Sequence, residues 1–353
     1  MACSSVWSSL MNQPFRPLLT IISPTYNHQD YIAQCVDSVL QQAYPHWEQI
    51  IIDDGSTDRT GEIVRGYADP RIRYYHQNNA GIEALAHTYN HALSLSRGEL
   101  IAILEGDDTW PPQKLANMMN AFSDPSVVLA YGEMREINAD GKQAKRISRT
   151  ARIRRSLPRK ILFNDPPPAA AAHMLTFYGH SLIPASTVVI RRSALQAVGG
   201  FQYVPRQGYV DFPTFIRLST QGKFYYTSEV VGYRRMHPSS ATARFMKEML
   251  EAAQNFRRQL MKEPTFALTE ADLARIEESW RSVECTREFA LGRMRLLEGR
   301  WEQSRSHFLS ALSASDLRVT AGAAAGWFLS WLRCDLEVLF RLAGRASLRV
   351  IHK

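Results

Sequence analysis

Apolar residues in the first 135 positions alternate between short unbroken runs and runs with helical spacing. The unbroken runs are rich in branched residues and predict buried strands at 18–22, 48–52, 99–104 and 126–134, with a half-exposed strand at 71–75. The segments between them, such as "QDYIAQCVDSVLQQA", return an apolar residue every three or four positions, as amphipathic helices do. This alternation predicts an α/β fold, with a mostly parallel sheet covered on both faces by helices.

Polar clusters follow three of the predicted strands. "SPTYN" comes after the first strand, "DDGSTD" after the second, and "EGDD" after the strand at 99–104. Ligands of such sheets lie beyond the carboxyl ends of the strands. We therefore expect the three clusters to meet in one site.

The third cluster places Glu105, Asp107 and Asp108 within four positions of one another. Carboxylates this close repel and raise each other's pKa unless positive charge lies among them. One interpretation is a solvated turn after a strand. The other is a site for a hard cation, Mg²⁺ or Mn²⁺, shared with a diphosphate.

Several common enzyme motifs are absent from the sequence. No G-x-G-x-x-G follows a strand, and there is no G-x-x-x-x-G-K-[ST] phosphate loop or G-x-S-x-G elbow. No cysteine–histidine cluster suggests zinc. The sequence therefore gives no support for a dehydrogenase, a P-loop ATPase or a serine hydrolase of these types.

The chain changes character after the first 135 residues. Residues 142–160 carry nine basic residues and no acidic one, and we interpret 140–175 as a mobile excursion over the site. Asp211 lies near the predicted start of a helix in "GYVDFPTFIRL", where an ordinary helix cap is the alternative to a chemical role. From about Phe245 the pattern is helical, and it includes a helical pair that resembles one repeat unit.

The net charge of +8 and the pI near 9.4 favour anionic partners. Nucleic acid is disfavoured, because the basic run at 142–160 contains no aromatic residue. The four cysteines lack paired or metal-type spacing, which predicts a reducing, cytoplasmic compartment. No window reaches the roughly 18 uninterrupted apolar residues of a membrane span.

The order of these motifs resembles that of family 2 glycosyltransferases. "TIISPTYNHQDYIAQCVDSVLQQAYPHWEQIIIDDGSTDRT", "NNAGI" and "RGELIAILEGDD" carry the resemblance, which extends over roughly Leu18–Pro238. It implies a GT-A-type, nucleotide-sugar-binding sheet and a divalent cation, Mn²⁺ or Mg²⁺. The boundaries that follow are a disordered leader at 1–16, a catalytic domain at 17–240 and a helical C-terminal region at 241–353.

The resemblance also assigns expected roles to particular residues. The nucleotide would be bound by the first-strand motif, the second-strand carboxylates and the third cluster: Pro24, Thr25, Tyr26, Asn27, Asp53, Asp54, Glu105, Gly106 and Asp107. Asp107 and Asp108 would bind the metal. Glu105 stands where the family usually has aspartate, and either a ribose contact or a metal contact remains open for it.

Three further sets of residues match the family less fully. Asp211 corresponds to the catalytic base, although Val210 replaces the glutamate that commonly precedes it. "GYRRMHPSSAT" places three residues near the diphosphate: Arg234, Arg235 and His237. Acceptor contacts are expected from the loop before "IPASTVVI": Tyr178, His180 and Ser181.

The implied activity is transfer of a sugar, with inversion, from a nucleotide diphosphate sugar to a hydroxyl of a glycan or lipid-linked acceptor in cell-surface polysaccharide biosynthesis. UDP is the expected nucleotide. The alternative is a non-catalytic relative that binds nucleotide sugar or glycan as a partner subunit. The C-terminal tail mixes aromatic residues with arginines, so it is expected either to lie on an anionic membrane surface or to pack on the catalytic domain.

Overall fold

The computed structural model describes residues 16–143, 149–176, 182–205, 210–240 and 254–333. The predicted leader falls almost entirely outside this part of the chain. The described residues divide into two compact units. The first comprises those of 1–174 and 179–267, and the second comprises those of 175–178 and 268–353.

A seven-stranded sheet forms the centre of the first unit. The strands are β1 (Leu19–Thr25), β2 (Trp47–Asp53), β3 (Ile72–His76), β4 (Leu100–Ile103), β5 (Val127–Ile137), β6 (Val189–Arg191) and β7 (Lys223–Arg235). Their order is β3-β2-β1-β4-β6-β5-β7. Only β6 runs antiparallel to its neighbours, so the predicted mostly parallel sheet is confirmed.

Helices cover this sheet. They are α1 (Ile32–Leu40), α2 (Thr60–Arg65), α3 (Leu85–Leu95), α4 (Lys114–Met119), α5 (Arg149–Ser156), α6 (Arg159–Leu162), α7 (Ala171–Thr176), α8 (Arg192–Ala197) and α9 (Asp211–Leu218). Every residue of β1 and β2 is buried. Burial on both faces explains why these strands appear as continuous apolar runs.

Helix α5 belongs to the basic excursion, and one of its arginines is buried. The Arg154 side chain is 1% exposed and pairs with Glu133 of β5 at 3.0 Å. Tyr226 of β7 donates a hydrogen bond to the same carboxylate at 2.6 Å. The excursion is therefore attached to the sheet through this ion pair.

The described part of the second unit contains three helices: α10 (Glu270–Leu297), α11 (Trp301–Ala311) and α12 (Leu317–Trp331). Thr269 and Asp272 form a reciprocal capping box at the start of α10. Phe289 of α10 and Phe308 of α11 lie in a separate apolar core. Within the described residues, no helix has both the length and the apolarity needed to span a bilayer.

Candidate active site

The backbone brings the three polar clusters together. The Gly106 N–H donates to the Pro24 carbonyl at 3.1 Å, and the Asp54 N–H donates to the Thr25 carbonyl at 2.9 Å. A Cβ at Gly106 would lie only 2.6 Å from Thr25 Oγ1, so a side chain there would separate the two loops. The parallel register of β1, β2 and β4 thus produces the convergence that the sequence predicts.

The two adjacent aspartates after β2 have different surroundings. Asp53 is 1% exposed and accepts hydrogen bonds from the Ser56 N–H at 2.8 Å and the Tyr74 hydroxyl at 2.6 Å. Burial and the Asp53 charge raise the pKa of Tyr74 to about 12. Asp54 is half-buried and accepts from Gln77 at 2.7 Å. Asp53 therefore holds the turn, while Asp54 faces the open side of the loop.

Residues that follow β1 hold their loop against the loop after β2, which carries the second polar cluster. The Asn27 N–H donates to Ser56 Oγ at 2.8 Å, and Asn27 Oδ1 accepts from the Thr57 N–H at 2.8 Å. Asn27 has a φ of 53°, a left-handed conformation that asparagine tolerates better than most residues. Tyr26 is 40% exposed and offers a ring surface beside this network. The two loops are thereby fixed around one concavity.

Glu105, Asp107 and Asp108 form a carboxylate cluster at the end of β4. One oxygen from each lies within 4.8 Å of the others. Carboxylate oxygens at this separation suit a hard divalent cation, which would remove their mutual repulsion. The donor set and its spacing therefore fit the expected cation.

Asp107 is paired with His237, which follows β7. His237 Nε2 donates to Asp107 Oδ2 at 3.0 Å, and His237 Nδ1 accepts from Ser239 Oγ at 2.8 Å. Burial acts to raise the pKa of Asp107, but the His237 hydrogen bond and the neighbouring imidazoles of His28 and His237 lower it overall. Asp107 is accordingly the member of the cluster that carries its negative charge most readily.

Asp108 is 2% exposed and is held on both carboxylate oxygens. Its Oδ2 accepts from Ser186 Oγ at 2.6 Å, and its Oδ1 accepts from the Arg235 N–H at 2.9 Å. Burial, followed by the Asp107 charge, raises the pKa of Asp108 to about 7. Asp108 thus contributes to the cluster from a fixed position.

Glu105 extends the same cluster toward α3. The Tyr89 hydroxyl lies 3.4 Å from Glu105 Oε1. Burial raises the pKa of Glu105 well above its ordinary value, and the charges of Asp108, Asp107 and Asp211 add to this effect. A bound cation would act against this rise in pKa by supplying opposite charge.

The two adjacent arginines at the end of β7 also differ. The Arg235 side chain donates to the carbonyls of Asp107 at 2.9 Å and Ala139 at 2.8 Å, and to Gln34 Oε1 at 2.8 Å. Arg235 is 2% exposed and fixes the loop that carries the carboxylates. Arg234 is more exposed, and its charge lowers the pKa of both Glu105 and Asp108. Arg234 is the better placed of the two to meet a bound anion.

Asp211 is the first residue of α9, as the sequence predicts. It is half-buried, and its charge raises the pKa of both Glu105 and Tyr89. The structure therefore brings Asp211 into electrostatic range of the carboxylate cluster. The predicted acceptor residues Tyr178, His180 and Ser181 lie outside the described residues.

Sequence reasoning did not identify Ser186, although it is the central connection behind the cluster. Its carbonyl accepts from Trp110 Nε1 at 2.6 Å and Lys114 Nζ at 3.0 Å, while its hydroxyl donates to Asp108. Burial lowers the pKa of Lys114 well below its ordinary value. No motif marks this serine, because its partners come from segments distant along the chain.

Asn90 binds the backbone of a turn that contains Gly200. Its amide group donates to the Phe201 carbonyl at 2.8 Å and accepts from the Phe201 N–H at 2.8 Å. The neighbouring Gly200 has a φ of 84°, and a Cβ there would lie 2.4 Å from Asn90 Oδ1. Asn90 thus holds the Gly200–Phe201 turn, which lies ahead of Asp211 in the chain.

The chain is similar to known glycosyltransferases in sequence and in fold. The family model described as glycosyl transferase family 2 matches residues 20–199. The chain is 39% identical over 120 residues to the putative teichuronic acid biosynthesis glycosyltransferase TuaG of Bacillus subtilis (strain 168), a match covering 33% of this chain and 46% of that protein. The match therefore spans somewhat less than half of TuaG.

A second relative is matched over more of its length. The UDP-Glc:alpha-D-GlcNAc-diphosphoundecaprenol beta-1,3-glucosyltransferase WfaP of Escherichia coli is 28% identical over 234 residues, covering 66% of this chain and 83% of that protein. Among solved structures, the mannosyltransferase PcManGT from Pyrobaculum calidifontis, in complex with GDP-Man and Mn²⁺, has a TM-score of 0.56 at 20% identity. The likeness covers 93% of this chain and 87% of that one. It confirms the predicted fold class.

Proposed function

Since the chain belongs to glycosyl transferase family 2, we propose that it transfers a sugar from a UDP-sugar, with inversion, to a hydroxyl of a lipid-linked glycan. The single observation that carries this proposal is that Asp211 lies in electrostatic range of the carboxylate cluster at one edge of the sheet. WfaP, named as a UDP-Glc:alpha-D-GlcNAc-diphosphoundecaprenol beta-1,3-glucosyltransferase, supports both the UDP donor and the diphosphoundecaprenol-linked acceptor. Together with TuaG, it supports a role in cell-surface polysaccharide biosynthesis.

The donor would be bound by residues from all three strand ends. Asp54, which is half-buried, would accept a hydrogen bond from the nucleobase, and the exposed Tyr26 ring would offer a surface for it. Asp107 and Asp108, with Glu105 reaching from the same loop, would hold Mn²⁺ or Mg²⁺. When bound, the cation neutralises charge on the diphosphate leaving group. Arg234 supplies further positive charge on the side of β7.

Asp211 would act as the general base. The acceptor hydroxyl oxygen attacks the anomeric carbon as the bond from that carbon to the diphosphate oxygen breaks, and the hydroxyl proton passes to the Asp211 carboxylate. The electron pair of the broken bond leaves with UDP. The protein's part is to hold the acceptor oxygen on the face opposite the leaving group, which gives inversion.

A donor screen tests this proposal. Purified protein is incubated with Mn²⁺, an undecaprenyl-diphosphate-linked sugar and a panel of UDP-, dTDP- and GDP-sugars, and the released nucleotide is measured. We expect UDP release with one donor. Asp211→Asn should lower turnover by at least about 10²-fold while UDP binding changes little. Wild-type turnover in Asp211→Asn would refute the base assignment, and metal-independent UDP binding would refute the cation site.

The same screen tests the non-catalytic alternative. Glu105 in place of aspartate and Val210 before Asp211 are the features that favour it. A binding subunit would bind UDP or a UDP-sugar but release no nucleotide with any donor or acceptor. Transfer with one donor would exclude this alternative.

We place the reaction on the cytoplasmic side of the membrane, where a reducing compartment suits the unpaired cysteines. The described cysteines, Cys35 and Cys285, are both buried free thiols.

A further inference from the structure

Helix α12 packs on its unit through a face that contains two glycines, and four of its large apolar residues lie outside that face. Gly322 and Gly326 face Phe289 and Phe308 so closely that a Cβ would lie 2.7 Å and 2.3 Å from their rings. Val319 also belongs to this inner face and is buried. The close approach of the helix therefore uses its glycines, and the inner face also buries Leu329, while the other large apolar residues on the opposite face stay outside this core.

The outward face of α12 is an apolar stripe. Its members recur at three- or four-residue spacing and are all exposed: Leu317, Ala321, Ala324, Phe328, Trp331 and Leu332. Leu317 is 84% exposed, and the three large residues at the other end are each more than half exposed. Large apolar side chains concentrated on one outer face of a soluble unit indicate a binding surface.

Most of the charges on and around the stripe are positive, although the exposed Asp316 directly precedes Leu317. Between Leu317 and Arg333 the sequence contains no aspartate or glutamate, and exposed arginines stand at both ends, Arg318 and Arg333. The guanidinium of Arg305, from α11, lies 4.4 Å from the Trp331 ring centroid. Beyond Arg333 the sequence adds four basic residues and two acidic ones. This charge pattern complements a negatively charged partner.

We propose that the α12 stripe docks on the surface of a bilayer that contains anionic phospholipids. A helix with an apolar face, an aromatic residue and flanking arginines lies in the interfacial plane, with its apolar side chains among the acyl chains and its arginines at the headgroups. Helix α12 has 15 residues and is too short to span a bilayer. The inference rests on the proposed function in one respect: a lipid-linked acceptor requires the enzyme to act at a membrane surface.

Vesicle flotation of the full chain tests the proposal without donor or acceptor. We expect the protein to float with phosphatidylcholine vesicles that contain phosphatidylglycerol, and to float far less with phosphatidylcholine alone. Phe328→Ser/Leu332→Ser should weaken binding at least about tenfold, because it removes the largest inserted area. Leu309→Ser on α11 is the matched control, since Leu309 is also about half exposed but lies outside the stripe.

Variants of charged residues separate attraction to the anionic headgroups from nonspecific hydrophobic binding. Arg318→Gln/Arg333→Gln should weaken binding to anionic vesicles about 30-fold, because each arginine near such a surface contributes about 1 kcal/mol and the two together about 2 kcal/mol. Arg281→Gln/Arg287→Gln on α10 makes the same change in net charge and should leave binding unchanged. Thermal melts of all variants would show that the second unit still folds.

Three outcomes would overturn the proposal. The wild type could fail to bind anionic vesicles, the stripe variants could bind as well as the controls, or light scattering could reveal a dimer that Phe328→Ser/Leu332→Ser dissociates without any vesicle binding. The last outcome would assign the stripe to a second copy of the chain. A failed donor screen alongside stripe-dependent vesicle binding would remove the proposed function alone.

Discussion

Replacing Asp108 by asparagine removes one charge from the carboxylate cluster while preserving its shape. The asparagine Oδ1 still accepts from the Arg235 N–H, and its Nδ2 donates to Ser186 Oγ once that hydroxyl rotates. The change therefore separates charge repulsion from loss of packing. We expect the variant protein to be more stable than the wild type when no divalent cation is present.

The pKa of Asp108 gives the magnitude. This pKa rises from the ordinary value of 3.8 to about 7. At pH 8, where the group is ionised, the rise lowers the free energy of unfolding by about 4 kcal/mol. The sign follows because the native state holds this proton more tightly than the unfolded state, so stability falls as pH rises between about 4 and 7. Glu105 and Asp107 share the repulsion, and we therefore expect Asp108→Asn to recover about 2 kcal/mol, or roughly 5 °C in Tm.

Scanning calorimetry at pH 8 measures this effect in EDTA and again with UDP and Mn²⁺. Asp108→Asn should raise Tm in EDTA and reduce the stabilisation that UDP and Mn²⁺ give the wild type. Glu302→Gln, which changes a 93% exposed carboxylate, is the control and should leave both values unchanged. A lower Tm for Asp108→Asn in EDTA would refute the reasoning, because it would mean that Ser186 and the Arg235 N–H outweigh the repulsion.

Three further outcomes are expected. The Tm gain from UDP and Mn²⁺ should increase between pH 6 and pH 8. Asp108 has a pKa of about 7 and Glu105 has a raised pKa, and both must lose their protons to bind the cation. A Tm gain that is independent of pH would contradict this. Ser186→Ala should weaken Mn²⁺-dependent UDP binding about tenfold in calorimetric titration, through loss of a charged hydrogen bond, and unchanged affinity would argue against its positioning role. Arg154→Met should lower the free energy of unfolding in urea by about 3–5 kcal/mol, because Glu133 stays buried without its main partner; Glu133→Gln/Arg154→Met should recover much of that loss.

The convergence of the strand-end clusters could be predicted because it follows from a periodic pattern. Continuous apolar runs predicted buried parallel strands, and parallel strands place their carboxyl ends along one edge. The position of Asp211 at the start of a helix was predictable for a similarly local reason. The antiparallel course of β6 was not, since a three-residue strand has no pattern of its own that sets its direction.

The different roles of adjacent residues of the same type could not be predicted from sequence. Asp53 and Asp54 are identical in type, and only the Tyr74 hydroxyl, contributed by a different strand, shows that Asp53 holds the turn. Arg234 and Arg235 differ for the same kind of reason, because the carbonyls that bind Arg235 belong to loops far away in the chain. Such distinctions depend on tertiary partners, and a single sequence does not list them.

The two hydrogen bonds on Asp108 also constrain how such an enzyme can be recombined. Strands β1, β2 and β4, which end at the candidate site, come from the first 104 residues, whereas Ser186 precedes β6 and Arg235 ends β7. Asp108 thus connects an early and a late segment of the chain through its hydrogen bonds. A chimera that exchanges the later segment to alter acceptor choice must keep a hydroxyl at position 186 and the backbone course at position 235. Otherwise the Asp108 carboxylate of the early segment loses the two hydrogen bonds that hold it.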